Sequence, residues 1–204
     1  MIKTIIFDFG DVFINLDKET AKQHALQFFK TDTFSENMIK TNNLYEQGLI
    51  STASFIKFYK DSFPNISETE ITNTWNIIIK DFPAHRLEFL KILSEEKKYR
   101  LILLSNTNDL HINWVKDHIA FYEDFKNCFD AFYLSHEIHL RKPNQDIFQF
   151  VLDQNNLLAK ECLFVDDTKE HILAASQLGI NTWNIDPKIE DISQLFTIKK
   201  ELFK

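Results

Sequence analysis

Thr4-Ile5-Ile6-Phe7-Asp8-Phe9-Gly10-Asp11 is the stretch that decides the fold, because a short apolar run delivers an aspartate at its end. Such a run predicts a strand buried on both faces of a parallel sheet. The pattern returns downstream, where Leu101-Ile102-Leu103-Leu104 leads into Ser105-Asn106 and Cys162-Leu163-Phe164-Val165 leads into Asp166-Asp167. Parallel strands share one edge at their carboxyl ends, and open α/β sheets bind ligands there. Three distant segments therefore bring an Asp, a Ser-Asn pair and an Asp pair to one crevice.

Outward from these runs, residues from about 16 to 82 show helical periodicity without a strand. Breaks at Gly48 and Ser51, and at Pro64-Asn65 before Ser67, divide this block into four helices. Ser51 with Ser54, and Ser67 with Glu70, read as helix starts, the second with capping-box spacing. From Pro83 onward helix and strand alternate. Helices are predicted near 84–97, 108–120, 143–155 and 168–178, strands at 100–105, 131–135, 162–165 and 181–185, and a helix at the C-terminus. The fold class is thus α/β, a doubly wound (Rossmann-like) parallel sheet with an inserted four-helix cap. The expected division is a core of 1–15 and 83–204 with a cap of 16–82.

The chain has 204 residues, enough for one core and an inserted subdomain. Its 23 Lys and Arg against 30 Asp and Glu give a net charge of -7 with no basic stripe, which argues against nucleic acid as a partner. No apolar stretch reaches the roughly 20 residues of a membrane span. Met1-Ile2-Lys3-Thr4 leads directly into the first strand and predicts no signal peptide. Cys128 and Cys162 read as small buried residues in a reducing cytoplasm, not as a disulfide. Of the 20 phenylalanines, many fall at core spacing, such as Phe55 with Phe58 and Phe150 after Ile147, and are assigned to packing. Gly179 is placed as a helix C′ residue, and Gly10 where a ligand would approach the backbone.

In the crevice, Asp8 is the candidate nucleophile, since a carboxylate can attack phosphorus and split one displacement into two. Asp166-Asp167 would complete with Asp8 an oxygen-only site of the kind Mg²⁺ favours. Ser105 and Asn106 can donate hydrogen bonds to phosphoryl oxygens. Lys142, ahead of Pro143 at an expected first helical position, would neutralise charge on the transferring group. Asp8, Asp166-Asp167 and Ser105-Asn106-Thr107-Asn108 also suit plain helix capping. Their convergence on successive strand ends favours a site. His111, His136 and His139 lack metal spacing and are read as pocket-rim or surface residues.

These residues carry a resemblance. Phe7-Asp8-Phe9-Gly10-Asp11-Val12 resembles motif I of the haloacid dehalogenase (HAD) superfamily, Leu104-Ser105-Asn106-Thr107-Asn108 motif II, Arg141-Lys142-Pro143 motif III, and Phe164-Val165-Asp166-Asp167 motif IV. Tyr45-Glu46-Gln47-Gly48-Leu49-Ile50-Ser51 in the inserted block is also similar. The resemblance implies a C1-type helical cap and a place near the small bacterial phosphatases that include α-D-glucose-1-phosphate phosphatase. It implies catalysis by Asp8, Ser105 and Lys142, phosphate binding by Phe9, Gly10, Ser105, Asn106 and Lys142, and Mg²⁺ held by Asp8, Asp167, Asp166 and the carbonyl of Gly10. The implied function is hydrolysis of a small phosphorylated metabolite, such as a sugar phosphate, through an aspartyl phosphate.

One position departs from the pattern. Most phosphatases of the superfamily carry an Asp two residues after the nucleophile as general acid, and this chain has Gly10 there and Asp11 beside it. The missing acid predicts that esters with weakly basic leaving groups react best, unless Asp11 replaces it. Two other functions compete: a metal-independent 2-haloacid dehalogenase-like hydrolase, against which Asp166-Asp167 argues, and a HAD-fold binding protein without turnover. The sequence assigns no oligomeric state.

Overall fold

The computed structural model describes residues 1–204. Its sheet has five parallel strands in the order β3-β2-β1-β4-β5, with β1 at Thr4–Phe7, β2 at Arg100–Ser105, β3 at Ala131–Leu134, β4 at Cys162–Asp166 and β5 at Asn181–Asn184. The alternation of side chains along the inner strands explains why their sequences are apolar throughout. Ile5, Phe7, Leu101, Leu103, Leu163 and Val165 enter one core with Leu87, Leu90 and Leu93 of α5 (Ala84–Glu96) and Ile112 and Val115 of α6 (Asp109–His118). Ile6, Ile102, Leu104, Cys162 and Phe164 enter a second core on the other face. It is completed by Ile147, Phe148, Val151 and Leu152 of α9 (Gln145–Asn155) and by Ile172 and Ala175 of α10 (Lys169–Gln177).

Between β1 and α5 lie α1 (Lys18–Phe28), α2 (Glu36–Glu46), α3 (Thr52–Ser62) and α4 (Glu68–Asn76), each started by a side-chain cap from Asp17, Ser35, Ser51 and Ser67. Ser67 and Glu70 form the full capping box. These helices bury their own cluster around Phe29, Tyr45, Phe55, Tyr59 and Ile71, apart from the two sheet cores. The two linkers pair antiparallel, Asn15 N donating to Asp81 O, Lys80 N to Asn15 O and Asp17 N to Ile78 O.

Four sequence readings need correction. The expected helix near 108–120 ends at His118 and a separate short helix, α7, follows at Tyr122–Lys126. The third strand stops at Leu134, and Ser135–Ile138 turns into the short helix α8. Pro143 is not the first residue of a helix: Asn144 N donates to Arg141 O in a turn, and α9 starts at Gln145. The C-terminal helix is instead 3₁₀ turns at Ile192–Gln194 and Lys200–Phe203 flanking α11 at Leu195–Ile198. No helix is long and apolar enough to cross a membrane.

Candidate active site

Parallel pairing aligns Phe7 with Leu103 on one side and with Val165 on the other, so Asp8, Leu104 and Asp166 follow at one level of the sheet edge. Asp8 N still donates to Val165 O, which fixes the nucleophile position as an extension of the ladder. The turn after it is held by aromatic packing. Phe9 and Phe13 each lie 5.1 Å, centroid to centroid, from Phe125, and Phe82 packs on the same ring. Phe9, Phe13, Phe82 and Phe125 thus seat the loop that carries Asp8, while others such as Phe29 and Phe55 pack the inserted helices.

The centre of the site is a buried ion cluster. Lys142, none of whose side chain is exposed, places Nζ 2.9 Å from Asp8 Oδ1 and 2.6 Å from Asp166 Oδ2, and donates to Leu104 O at 3.0 Å. Asp166 also accepts from Thr168 N at 2.7 Å and lies 2.9 Å from His171 Nδ1. It therefore fixes the residue that precedes α10 and anchors Lys142 at once. Burial raises the Asp8 carboxyl to about 6 against the pull of Lys142, with the charge of Asp166 adding to the rise. Asp166 stays well below the usual carboxylate range, because Lys142 and His171 outweigh its burial. Of the two acids sharing Lys142, Asp166 is the more firmly ionised partner.

Asn106 has a different job from the one its motif suggested. Its Nδ2 donates to Lys142 O and its Oδ1 accepts from Lys142 N, both at 2.9 Å, so the side chain clamps the lysine's backbone. Ser105 is buried at the end of β2, with Oγ 3.4 Å from Asn106 O. Phe9 turns its ring into the core, which leaves only its main chain to face a ligand. A Cβ on Gly10 would stand 2.6 Å from Leu16 Cδ1, so a side chain there would make Leu16 shift. Leu16 fills the place where a side chain on residue 10 would begin.

Asp11 has φ 57, a left-handed conformation that Asp tolerates. One oxygen accepts from Leu16 N at 2.9 Å, and the other is 2.8 Å from Lys18 Nζ. Asp167 is 2.5 Å from the same ammonium. The four carboxylates thus divide between two lysines, Asp8 and Asp166 with Lys142, Asp11 and Asp167 with Lys18.

Sequence reasoning missed Lys18, His171 and Arg86. Lys18 opens α1, where the helix dipole disfavours a cation, and that misfit was its one signal. His171 sits in the first turn of α10 and touches Asp166 only because Asp166 folds back over that turn. Arg86 is buried and reaches Phe13 O, Asn15 Oδ1 and Asp191 Oδ2, which pins the first cap linker to the C-terminal region. Among the histidines, His111 lines the crevice and bridges Asn108 to the carbonyl of Trp75 on α4. His139 is exposed and meets Gln47 O, whereas His136, read from the sequence as a pocket-rim or surface residue, is buried. Burial follows from the cap: Gly48 (φ 63) packs so tightly on His136 that a Cβ would stand 2.0 Å from its carbonyl oxygen.

The crevice between Gly10, Leu16, Ile79, Ser105, Asn106 and His111 has room for only about 50 Å³. That is far below the roughly 300–1,000 Å³ of ligand pockets. A larger groove of about 570 Å³ opens beside Lys97, Tyr99, Arg100 and Asp130, at the amino ends of β2 and β3. It lies at the wrong edge of the sheet and holds none of the clustered acids.

Known proteins share this architecture. The family model for haloacid dehalogenase-like hydrolases matches residues 2–179. A D-ribitol-5-phosphate phosphatase from Bacteroides thetaiotaomicron is 28% identical over 190 residues, 90% of this chain and 91% of that protein. A HAD family enzyme from the same organism, solved as a magnesium complex, superposes with a TM-score of 0.84 at 33% identity over 96% of this chain and 98% of that one. A magnesium and inorganic phosphate complex gives 0.80 at 33% identity, covering 96% and 100% of the two chains. A HAD-like hydrolase from Porphyromonas gingivalis shares the fold, with a TM-score of 0.83 at 24% identity over 100% of this chain and 99% of that one. With its sheet order, its inserted helices and its acid-lysine cluster, the chain belongs to the haloacid dehalogenase-like hydrolases.

Proposed function

We propose that this chain is a Mg²⁺-dependent phosphatase acting on a small phosphorylated sugar or sugar alcohol through an aspartyl phosphate on Asp8. The observation that carries the reading is the placement of Asp8 at a strand end, in contact with a fully buried lysine and flanked by the Asp166-Asp167 pair. The reading takes 1–15 and 83–204 as the catalytic core and 16–82 as the cap.

The donor set suits a hard cation, since Asp8, Asp167 and the Gly10 carbonyl offer only oxygen, with Asp166 behind them. An ammonium already rests between Asp11 and Asp167, so this corner of the site favours positive charge. Bound there, Mg²⁺ would screen the repulsion between a carboxylate and a phosphate dianion.

The chain's own residues do the rest. An Asp8 oxygen bonds to phosphorus as the P–O bond to the alcohol breaks, and Lys142 offsets charge on the phosphoryl oxygens. Ser105 Oγ and main-chain N–H groups of Phe9, Gly10 and Asn106 hold those oxygens. The departing alkoxide takes its proton from water, because residue 10 has none to give. Water then attacks phosphorus, its proton passing to the hydroxide left when the alkoxide was protonated, and phosphate leaves as the Asp8 carboxylate re-forms.

The curated relative's name identifies a primary-alcohol phosphate, which supports polyol and sugar phosphates as the class. A panel of ribitol 5-phosphate, hexose 6-phosphate, glucose 1-phosphate, p-nitrophenyl phosphate and a 2-haloacid, with and without Mg²⁺, tests it. Turnover of phosphate esters only with Mg²⁺ is the expected result. Metal-free release of halide, or no turnover of any ester, would overturn it.

A further inference from the structure

Lys18 is the cap's contribution to the acid cluster. It opens α1 with 48% of its side chain exposed, yet its Nζ reaches Asp11 Oδ2 at 2.8 Å and Asp167 Oδ2 at 2.5 Å. Both partners belong to the sheet edge and keep only 12% and 14% of their side chains exposed. Asp11 holds the preceding linker as well, through Leu16 N. The first helix of the inserted block is thus fastened to the core by one ammonium and one carboxylate, beside the nucleophile.

A cation at an N-terminal helical position is opposed by the helix dipole, so local helix chemistry does not explain Lys18. The two carboxylates do: their charges offset the cost of its partial burial.

We propose that Lys18 is a built-in competitor for the divalent cation at Asp167, so that metal loading releases Lys18 from Asp167 and loosens the start of α1. The proposal rests on the metal site described above. Mg²⁺ held by Asp167 would stand beside the Lys18 ammonium, and two cations on one carboxylate repel each other. Lys18 then retains Asp11 alone. The other ammonium, Lys142, meets Asp8 through Oδ1 and Asp166 through Oδ2, which leaves Asp8 Oδ2 for the cation.

Calorimetric titration with Mg²⁺ of wild type, Lys18→Met, Lys18→Arg and Asp167→Asn tests this, with no substrate present. Lys18→Met should bind Mg²⁺ about two- to fivefold more tightly, the worth of one half-exposed ion pair, while Lys18→Arg stays near wild type. Amide exchange over residues 18–28 should quicken with Mg²⁺ in wild type and be metal-independent in Lys18→Met. Unchanged or weaker binding by Lys18→Met, while Asp167→Asn loses affinity, would overturn the competition and leave the metal site standing. Undiminished binding by Asp167→Asn, or no binding by wild type, would remove both.

Discussion

The ammonium of Lys142 lies 2.9 Å from Asp8 Oδ1 in a pocket that exposes none of the lysine side chain. Asp166 holds the same ammonium from the other side at 2.6 Å. A lysine is buried at this depth only when carboxylates offset its desolvation, and here they come from two strands far apart in sequence. Lys142→Met should strand two buried acids, costing about 3–5 kcal/mol of stability in urea unfolding along with turnover. A loss below about 1 kcal/mol would mean that the cluster is not mutually dependent.

Asp8→Asn keeps the shape of the side chain and removes the nucleophilic charge. Turnover should fall by at least about 10³-fold with the circular-dichroism spectrum unchanged. Single-turnover trapping of phosphate on the wild type, absent in the variant, completes the check.

Asp167→Asn and Asp166→Asn should separate. Asp167 is held only by Lys18 and a long contact from Thr168 Oγ1, so its loss should raise the Mg²⁺ needed for half-maximal activity roughly tenfold or more and leave the melting temperature nearly unchanged. Asp166 anchors Lys142, Thr168 N and His171, so its loss should lower the melting temperature as well. The reverse pattern would exchange their roles.

Asp11 is committed to Leu16 N and Lys18, and is not aimed at a leaving group as a free acid. The ratio of kcat/KM between an aryl phosphate and a primary-alcohol phosphate should therefore stay within about twofold in Asp11→Asn. Selective loss of the primary-alcohol ester would make Asp11 the general acid.

Burial lowers the pKa of His111 from 6.5 to about 4, and its contact with the Trp75 carbonyl only partly offsets that. His136 shifts the same way for the same reason, with Asp109 opposing. Unfolded chains take up these protons first. The stability tied to neutral His111 is complete above about 6.5 and drains away as pH falls toward about 4. Urea midpoints at pH 7.5 and 4.5 should drop less in His111→Gln than in wild type. An equal drop would show that His111 does not titrate between the two states.

Much of the fold could be read from residue order, because buried parallel strands write themselves as unbroken apolar runs. Ile5, Ile102 and Phe164 had to be apolar on whichever face they fell, since both faces carry cores. Helix starts at Ser51 and Ser67 were legible because a cap is a contact over three residues. The short helix at Tyr122–Lys126 and the broken C-terminal segment were not, since both depend on packing against distant residues. Phe125 reaches Phe9 and Phe82, and Asp191 reaches Arg86.

The sequence by itself determined that Asp8, Ser105, Asn106 and Asp166-Asp167 would meet at one edge of a parallel sheet, because strand direction and strand ends are local properties. Only the tertiary structure decided what each then does there. Asn106 holds the backbone of Lys142, Leu16 fills the space beside Gly10, and Lys18 crosses from the inserted helices to Asp167. The physical reason is range: an apolar run or a cap needs only its neighbours, whereas a buried charge takes whichever partner the folded chain brings within about 3 Å.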